Sequence, residues 1–365
     1  MNKYFCILAF TLVALFCVTA CSNDDGSTSV SVKKVLIDSD IVEGFDDGQA
    51  IMMLLQSPNV EVMGITSVTG NTWAQEGVAY GIRQMEICGA TDVPIIVGSQ
   101  FPLRRDRLST LKDEVRKSPG RDSFWLGAVE CAPVTDWKQA YIDRYGSQPH
   151  ITPHNEDAVD FIIRTLKENP HEVTLLALGP CTNIAKAIQK EPGIERLAKE
   201  IIYNGGSFYR EGNTTLYAEF NVLYDPEAMG VCMRADFPKQ TFVSLDVCEI
   251  VPMVKEDYMA MMDTIKNDAL RDIFGGCFHY HDFMEHPNAV SHIWDVINAC
   301  ILLDESIVTD YVNVSVDIQD NPYKPEYGRT FESLSQSSHT ARIIKNVNKE
   351  RIWQMIFNCL KSLGS

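Results

Sequence analysis

From residue 33 onward, short apolar runs alternate with amphipathic ones. "KKVLIDSD" reads as a strand and "DDGQAIMMLLQS" as a helix; "VEVMGITSV", "WAQEGVAYGIRQMEICG" and "VPIIVGS" continue as strand, helix, strand. Further along, "NEDAVDFIIRTLKEN", "TNIAKAIQKEP" and "DPEAMGVCMRAD" are helix-like, interleaved with the strand-like "EVTLLALG", "KEIIYNGG" and "QTFVSLD". Such alternation predicts βαβ units: an α/β fold with a mostly parallel open sheet and helices on both faces. One domain over residues 33–365 accounts for it. Residues 101–150 break the rhythm, with mixed charge and no clean period, and read as an insertion or lid. In open sheets of this kind, ligands bind beyond the carboxyl ends of the strands.

Composition narrows the picture. The chain has 365 residues, is 45% hydrophobic and carries a formal net charge of −17. A nucleic-acid groove is excluded, because phosphate binding needs clustered Lys and Arg. The most basic stretch, "FPLRRDRLSTLKDEVRK", is interleaved with acids and reads as a solvated face or loop. Residues 1–20 have a short positive start and an apolar run ending in small residues, the pattern of a signal peptide. The following "VTAC" resembles the lipobox of bacterial lipoproteins, which would make Cys21 the lipidated first residue of a protein in the cell envelope. Residues 21–32 then form a flexible tether, and the lipid is the membrane contact. The eight later cysteines show no metal or redox spacing and read as buried thiols.

Charge is most crowded in "DSDIVEGFDD", residues 38–47, at the end of the first strand. Asp38, Asp40, Glu43, Asp46 and Asp47 repel one another unless a cation intervenes. The donors are all oxygen, which suits Ca²⁺ or Mg²⁺. The competing reading is helix capping by Asp46 and Asp47, which leaves Asp38 and Asp40 unexplained. Polar residues mark other strand ends: Asn71 in "GNT", the "LALGPCTNIA" turn, Asn213, Glu219, Asn221 and Asp225 in "EGNTTLYAEFNVLYDPEA", and Asp295 in "SHIWDVINAC". One at a time they are turns or caps; together they suit a ligand rich in hydroxyls.

The order of these motifs resembles the inosine-uridine-preferring nucleoside hydrolase family, from about Lys33 to the C-terminal helix. The resemblance implies a Rossmann-like fold and Ca²⁺-dependent cleavage of the N-glycosidic bond of small-molecule ribonucleosides. It implies that Asp40, Asp47, the Leu178 carbonyl and Asp295 hold the metal, with Asp40 also the base toward water. Asp46, Asn71 and Asn221 would hold the ribose 2′ and 3′ hydroxyls, Asn213 and Glu219 the 5′ hydroxyl, and Asp38 would support the loop from behind. A homodimer or homotetramer is implied as well. The sequence departs from the family in three places. Trp294 stands where many members have a histidine before the last metal aspartate; the purine-preferring branch is similar here, which points to stacking on a purine. Trp125 could supply the second face. Val42, Glu43 and Gly44 replace the usual loop residues, and no His-Gly segment follows the third strand. Of the histidines in "FHYHDFMEHPNAVSH", His281 and His286 are candidates for contacting or protonating the leaving base. A hydrolase of another N-ribosyl compound, or a non-catalytic nucleoside- or sugar-binding lipoprotein, are the alternatives.

Overall fold

A computed structural model describes residues 32–118, 125–334 and 339–363. The expected signal peptide, Cys21 and all of the tether but its last residue lie outside them. Among the described residues, nine strands form one sheet. β1 (Lys33–Ser39), β2 (Val60–Ser67) and β3 (Ile95–Ile96) come first, then β4 (Val173–Ala177), β5 (Glu200–Asn204) and β6 (Gln240–Val243). β7 (Pro252–Met253) and β8 (Ser291–His292) pair separately as a short antiparallel ribbon, before β9 (Val308–Ile318), β10 (Thr330–Glu332) and β11 (His339–Val347) complete the main sheet. The order is β10-β9-β11-β6-β5-β4-β1-β2-β3. The pairings from β3 through β6 to β11 are all parallel.

Successive side chains on a strand point to opposite faces, so each buried strand feeds two cores. Val35 and Ile37 of β1 pack among the helices Asp47–Leu55, Ala74–Cys88, Trp294–Leu303 and Lys349–Ser362. Leu36 packs on the other side, among Ala158–Glu168, Thr182–Lys190 and Pro226–Met233. The predicted α/β architecture, with helices on both faces, is the one observed. What the strand–helix alternation did not separate is the antiparallel margin of β9 and β10. β9 does carry the signal of a half-wet strand, with Val312, Val314, Val316 and Ile318 turned to the core and Asn313, Ser315 and Asp317 between them; the βαβ reading passed over it because no helix follows it.

Residues 101–150 form helices Arg107–Lys117 and Trp137–Tyr145 with a short turn, Gly127–Glu130. Leu111, Val115, Leu126 and Val129 bury against Ala218, Phe220, Leu223 and Tyr224. One basic residue corrects the solvated reading. Arg107 is fully buried, donating two hydrogen bonds to the Leu223 carbonyl and pairing with Glu114 at 2.7 Å. A buried guanidinium is retained because its donors are met.

The chain reverses its direction across the sheet between β1 and β4. Going up from β1 it builds β2 and β3 on one side; it then returns to place β4, β5 and β6 on the other. Beyond the carboxyl ends of β1 and β4 such a reversal opens a crevice.

Candidate active site

The acidic stretch follows β1 directly into this crevice. Asp38 is buried and accepts from Thr66 Oγ1 at 2.6 Å and from Asn183 Nδ2 at 2.7 Å. Its own carbonyl accepts from the Leu178 amide at 2.8 Å, fixing the end of β4 to the end of β1. Burial raises its pKa to about 7, against the hydrogen bonds from Asn183 and Thr66. Asp38 therefore stands behind the loop.

Asp40 is fully buried. Its Oδ2 accepts from the Asn71 amide at 2.6 Å, while Oδ1 has no hydrogen-bond partner. Two glycines make room for it: a Cβ on Gly70 would stand 2.2 Å from Oδ2, and one on Gly179 2.7 Å from Oδ1. Asp46 and Asp47 come next, at the start of the helix Asp47–Leu55. Asp46 occupies the cap position, but its side chain makes no cap hydrogen bond. Capping therefore does not explain it. Asp47 takes a 2.5 Å hydrogen bond from Ser39 Oγ on Oδ1 and leaves Oδ2 without a partner. Asp295 enters from the first turn of the helix Trp294–Leu303; its amide donates to Asp46 Oδ2 at 3.3 Å.

Asp46, Asp47 and Asp295, all buried, each present a carboxylate oxygen, and these oxygens lie within 4.8 Å of one another. Asp40 sits beside this trio and interacts electrostatically with Asp47 and Asp46. Burial, then the neighbouring carboxylates, push Asp40 and Asp295 well above the usual carboxylate range; Asp47 is raised to about 7 by burial first and Asp46 second. Four acids this close, with buried oxygens lacking donors, fit a hard divalent cation. The donor chemistry and the orphaned oxygens of Asp40 and Asp47 agree on this.

The expected ribose contacts divide. Asn221 donates from Nδ2 to the Leu178 carbonyl at 2.8 Å and keeps a buried Oδ1 without a partner. Asn71 accepts from Trp125 Nε1 at 2.7 Å on its side-chain oxygen. Both border the acids. Glu219 is buried and caps the helix Phe220–Tyr224, both oxygens accepting from backbone amides of Gly206, Asn221 and Val222. Burial still lifts it to about 7. Asn213 accepts from the Phe220 amide at 2.9 Å. These two hold their own loop. Asp225 caps the helix Pro226–Met233 and accepts from Thr182 Oγ1 at 2.7 Å.

Around the mouth, Trp125 is 49% exposed and its ring lies 5.8 Å from that of Phe278, which is 61% exposed. The pair joins the 101–150 segment to the helix Phe278–Glu285. Trp294 is half-buried, its ring 5.7 Å from His292 and its Nε1 buried without a partner. His281 and His286 are both exposed, and among the described residues neither bonds to the acids. The histidine ring that faces the acid loop is His279. It stands 5.4 Å from Phe45 and is coupled electrostatically to Asp46. Burial lowers its pKa, working against the pull of Asp46.

Two contributors escaped the sequence reading. Asn204, at the end of β5, donates from Nδ2 to Asp295 Oδ1, and its carbonyl accepts from Asn221 Nδ2 at 3.1 Å. Its signal was an asparagine closing a strand just before two glycines. His279 was visible as one of four histidines, but nothing in the sequence set it apart from its neighbours.

An open α/β sheet with buried carboxylates at its switch point defines a ligand site whose all-oxygen donors could hold a divalent cation. The chain belongs to the inosine-uridine preferring nucleoside hydrolase family, whose profile matches residues 35–354. It is 35% identical to uridine nucleosidase 1 of Arabidopsis thaliana over 264 residues, 72% of this chain and 70% of that one. It is 27% identical to a pyrimidine-specific ribonucleoside hydrolase of Escherichia coli over 90% of this chain and 97% of the other. Among solved structures, a purine-preferring ribonucleoside hydrolase from Gardnerella vaginalis superposes with a TM-score of 0.71 at 23% identity, covering 91% of this chain and 99% of that one. The protein is a nucleoside N-ribohydrolase acting on ribonucleosides.

Proposed function

We propose that the protein is a Ca²⁺-dependent ribonucleoside hydrolase leaning toward purine nucleosides, anchored to the cell envelope through lipidated Cys21. The observation that carries the cation is the group of buried oxygens of Asp46, Asp47 and Asp295, with Asp40 beside them; the Leu178 carbonyl, which accepts from Asn221, is the backbone ligand the family resemblance implies. An all-oxygen donor set favours calcium over softer metals. When bound, the cation supplies acidification of water and a fixed seat for sugar hydroxyls.

The protein's own groups do the rest. Hydrolysis breaks the bond between ribose C1′ and the base nitrogen, joins the water oxygen to C1′, and leaves the base carrying a proton. Asp40, with its buried and unpartnered Oδ1, accepts the proton that water gives up. The sugar passes through an oxocarbenium-like state, and the surrounding carboxylates stabilise its positive charge. Asn221, with its buried and unpartnered Oδ1, and Asn71, whose amide holds Asp40, would orient the ribose, and burial of the acids excludes bulk water.

The purine leaning rests on Trp294, a flat ring at the start of the helix that carries Asp295. The names of the curated relatives favour a second reading, uridine. Chelator-stripped protein, re-supplied with calcium and given inosine, guanosine, adenosine, uridine and cytidine in turn, separates the two by release of free ribose. Inosine and guanosine turned over at least tenfold faster than uridine is the expected result. Uridine cleaved as fast as inosine overturns the purine leaning. Ribose released equally well in chelator overturns the cation requirement. Labelling with a radioactive fatty acid, lost in Cys21→Ser, tests the anchor; light scattering of the mature protein tests for the dimer or tetramer.

A further inference from the structure

Glu43 lies in the middle of the acid loop but belongs to neither the cation cluster nor the sugar contacts. Its carboxylate is 13% exposed and pairs at 2.8 Å with Nε of Arg144, the penultimate residue of the helix Trp137–Tyr145. Arg144 reaches further. Its Nη1 is 3.5 Å from Asp272 in the helix Asp268–Gly276, and its Nη2 lies so close to Gly276 that a Cβ there would stand 2.9 Å away. The guanidinium is 5.3 Å from the centre of the Tyr145 ring, and Arg83 sits at the same distance from that ring. The Tyr145 hydroxyl and Glu43 Oε1 are both buried without a hydrogen-bond partner.

The residues between Glu43 and the cation acids are gripped by the same segment. Gly44 has φ +82° and abuts Ile273. The Phe45 carbonyl accepts from Cys277 Sγ at 3.6 Å, and the Phe45 ring packs edge-on to Tyr258 and His279. Immediately after Cys277 begins the helix Phe278–Glu285, which carries the Phe278 ring at the mouth. On the other side, Thr72 Oγ1 donates to the Ile41 carbonyl at 2.9 Å and Gln84 Nε2 to the Val42 carbonyl at 2.8 Å. Among the described residues, the Glu43–Arg144 pair is the ion pair the acid loop makes.

We propose that Arg144 is a positioning residue for the cation site. It holds Glu43 and thereby sets where Asp46 and Asp47 present their oxygens, while Asp272 and Gly276 tie the same guanidinium to the segment leading into the mouth helix. The acid loop, the 101–150 segment and the helix Asp268–Gly276 meet at one guanidinium. Arg suits this seat, since its planar fork can serve two carboxylates from one position. The inference rests on the cation-dependent reading of the site, but its readout is cation binding and not turnover.

The experiment is calorimetric titration of chelator-stripped full-length protein with calcium, alongside thermal midpoints in chelator. Arg144→Ala and Glu43→Gln should each weaken calcium binding by about tenfold, the lower end of what losing a group behind a metal ligand costs. The double variant should be no worse than either single one. The charge swap, Glu43→Arg with Arg144→Glu, should recover part of the affinity, and thermal midpoints in chelator should stay within a few degrees of wild type. For nucleoside hydrolysis, KM should rise in Arg144→Ala more than kcat falls. Unchanged calcium affinity in both single variants overturns the proposal. So does affinity lost only in step with the thermal midpoint and not recovered by the swap, which is plain destabilisation. A wild-type protein that takes up no calcium overturns it too; one that binds calcium but cleaves no nucleoside refutes the enzymatic reading and leaves this one standing.

Discussion

The two oxygens of Asp40 live in different surroundings: Oδ2 is fixed by the Asn71 amide, and Oδ1 is buried and free. That asymmetry suits a base whose orientation is set on one side and whose chemistry happens on the other. Because the buried Oδ1 of Asp40 is open both to the cation and to water, its charge should matter to turnover and to cation retention alike. Asp40→Asn should lower kcat by about 10²–10⁴ and also weaken calcium binding, measured by ribose release and by calorimetry on the same preparation. Asp295→Asn should lose calcium first. An Asp40→Asn enzyme that retains wild-type kcat refutes the assignment. Asp38, Asp40, Asp46 and Asp47 were legible in the sequence because five acids in ten residues need a physical explanation. Asn204 was not, because a lone asparagine at a strand end looks like a turn. Its partner Asp295 is 91 residues away, and only the placement of β5 in the sheet brings them together.

At the scale of elements, one side chain in the helix Thr182–Lys190 ties three strands to the site. Asn183 donates to Asp38 Oδ1 and to the Ser67 carbonyl, and accepts from the Ser99 amide at 2.9 Å just beyond β3. Asn183→Ala leaves buried polar groups on all three without this partner, at a cost of about 1–3 kcal/mol each before relaxation. A drop of several degrees in the thermal midpoint, from about 2–4 °C per kcal/mol in proteins of 150–250 residues, is the expected outcome; an unchanged midpoint means that Asp38 is held well enough by Thr66 alone. The pair of Trp125 and Phe278 acts differently, since both rings are largely exposed. Trp125→Ala should raise KM by about fivefold or more, the low end of an aromatic–base stack, with kcat little changed; a loss confined to kcat argues against base contact. The parallel half of the fold was legible from the alternation of buried runs and amphipathic helices. β9 and β10 were passed over although β9 alternates cleanly from Val312 to Ile318, because β10 is three residues long and the pair lacks the strand–helix rhythm that exposed the parallel half.

For the molecule as a whole, the acids that make the site also strain it. The chain carries a net charge of −17, and its most crowded carboxylates are also among its most buried. In the unfolded chain these groups ionise near 3.8 for Asp and 4.5 for Glu, but in the folded, cation-free protein Asp38, Asp47 and Glu219 do so near 7. Between those limits the native state binds more protons than the unfolded one. Stability of the cation-free protein therefore falls as pH rises from about 4 through about 7. The direction is opposite to that of a salt-bridged carboxylate, whose stabilisation is lost as pH falls. Calcium changes the sign, because it binds deprotonated carboxylates that only the folded chain assembles. At a hundred times its dissociation constant it adds about 2.7 kcal/mol. Scanning calorimetry in chelator should thus give a higher thermal midpoint at pH 5 than at pH 7.5. Excess calcium should raise the midpoint strongly at pH 7.5 and weakly at pH 5, where protons compete for the same oxygens. A chelated midpoint that is flat or rises across this range would mean that the buried acids are already neutralised from within the protein, leaving calcium no charge to balance.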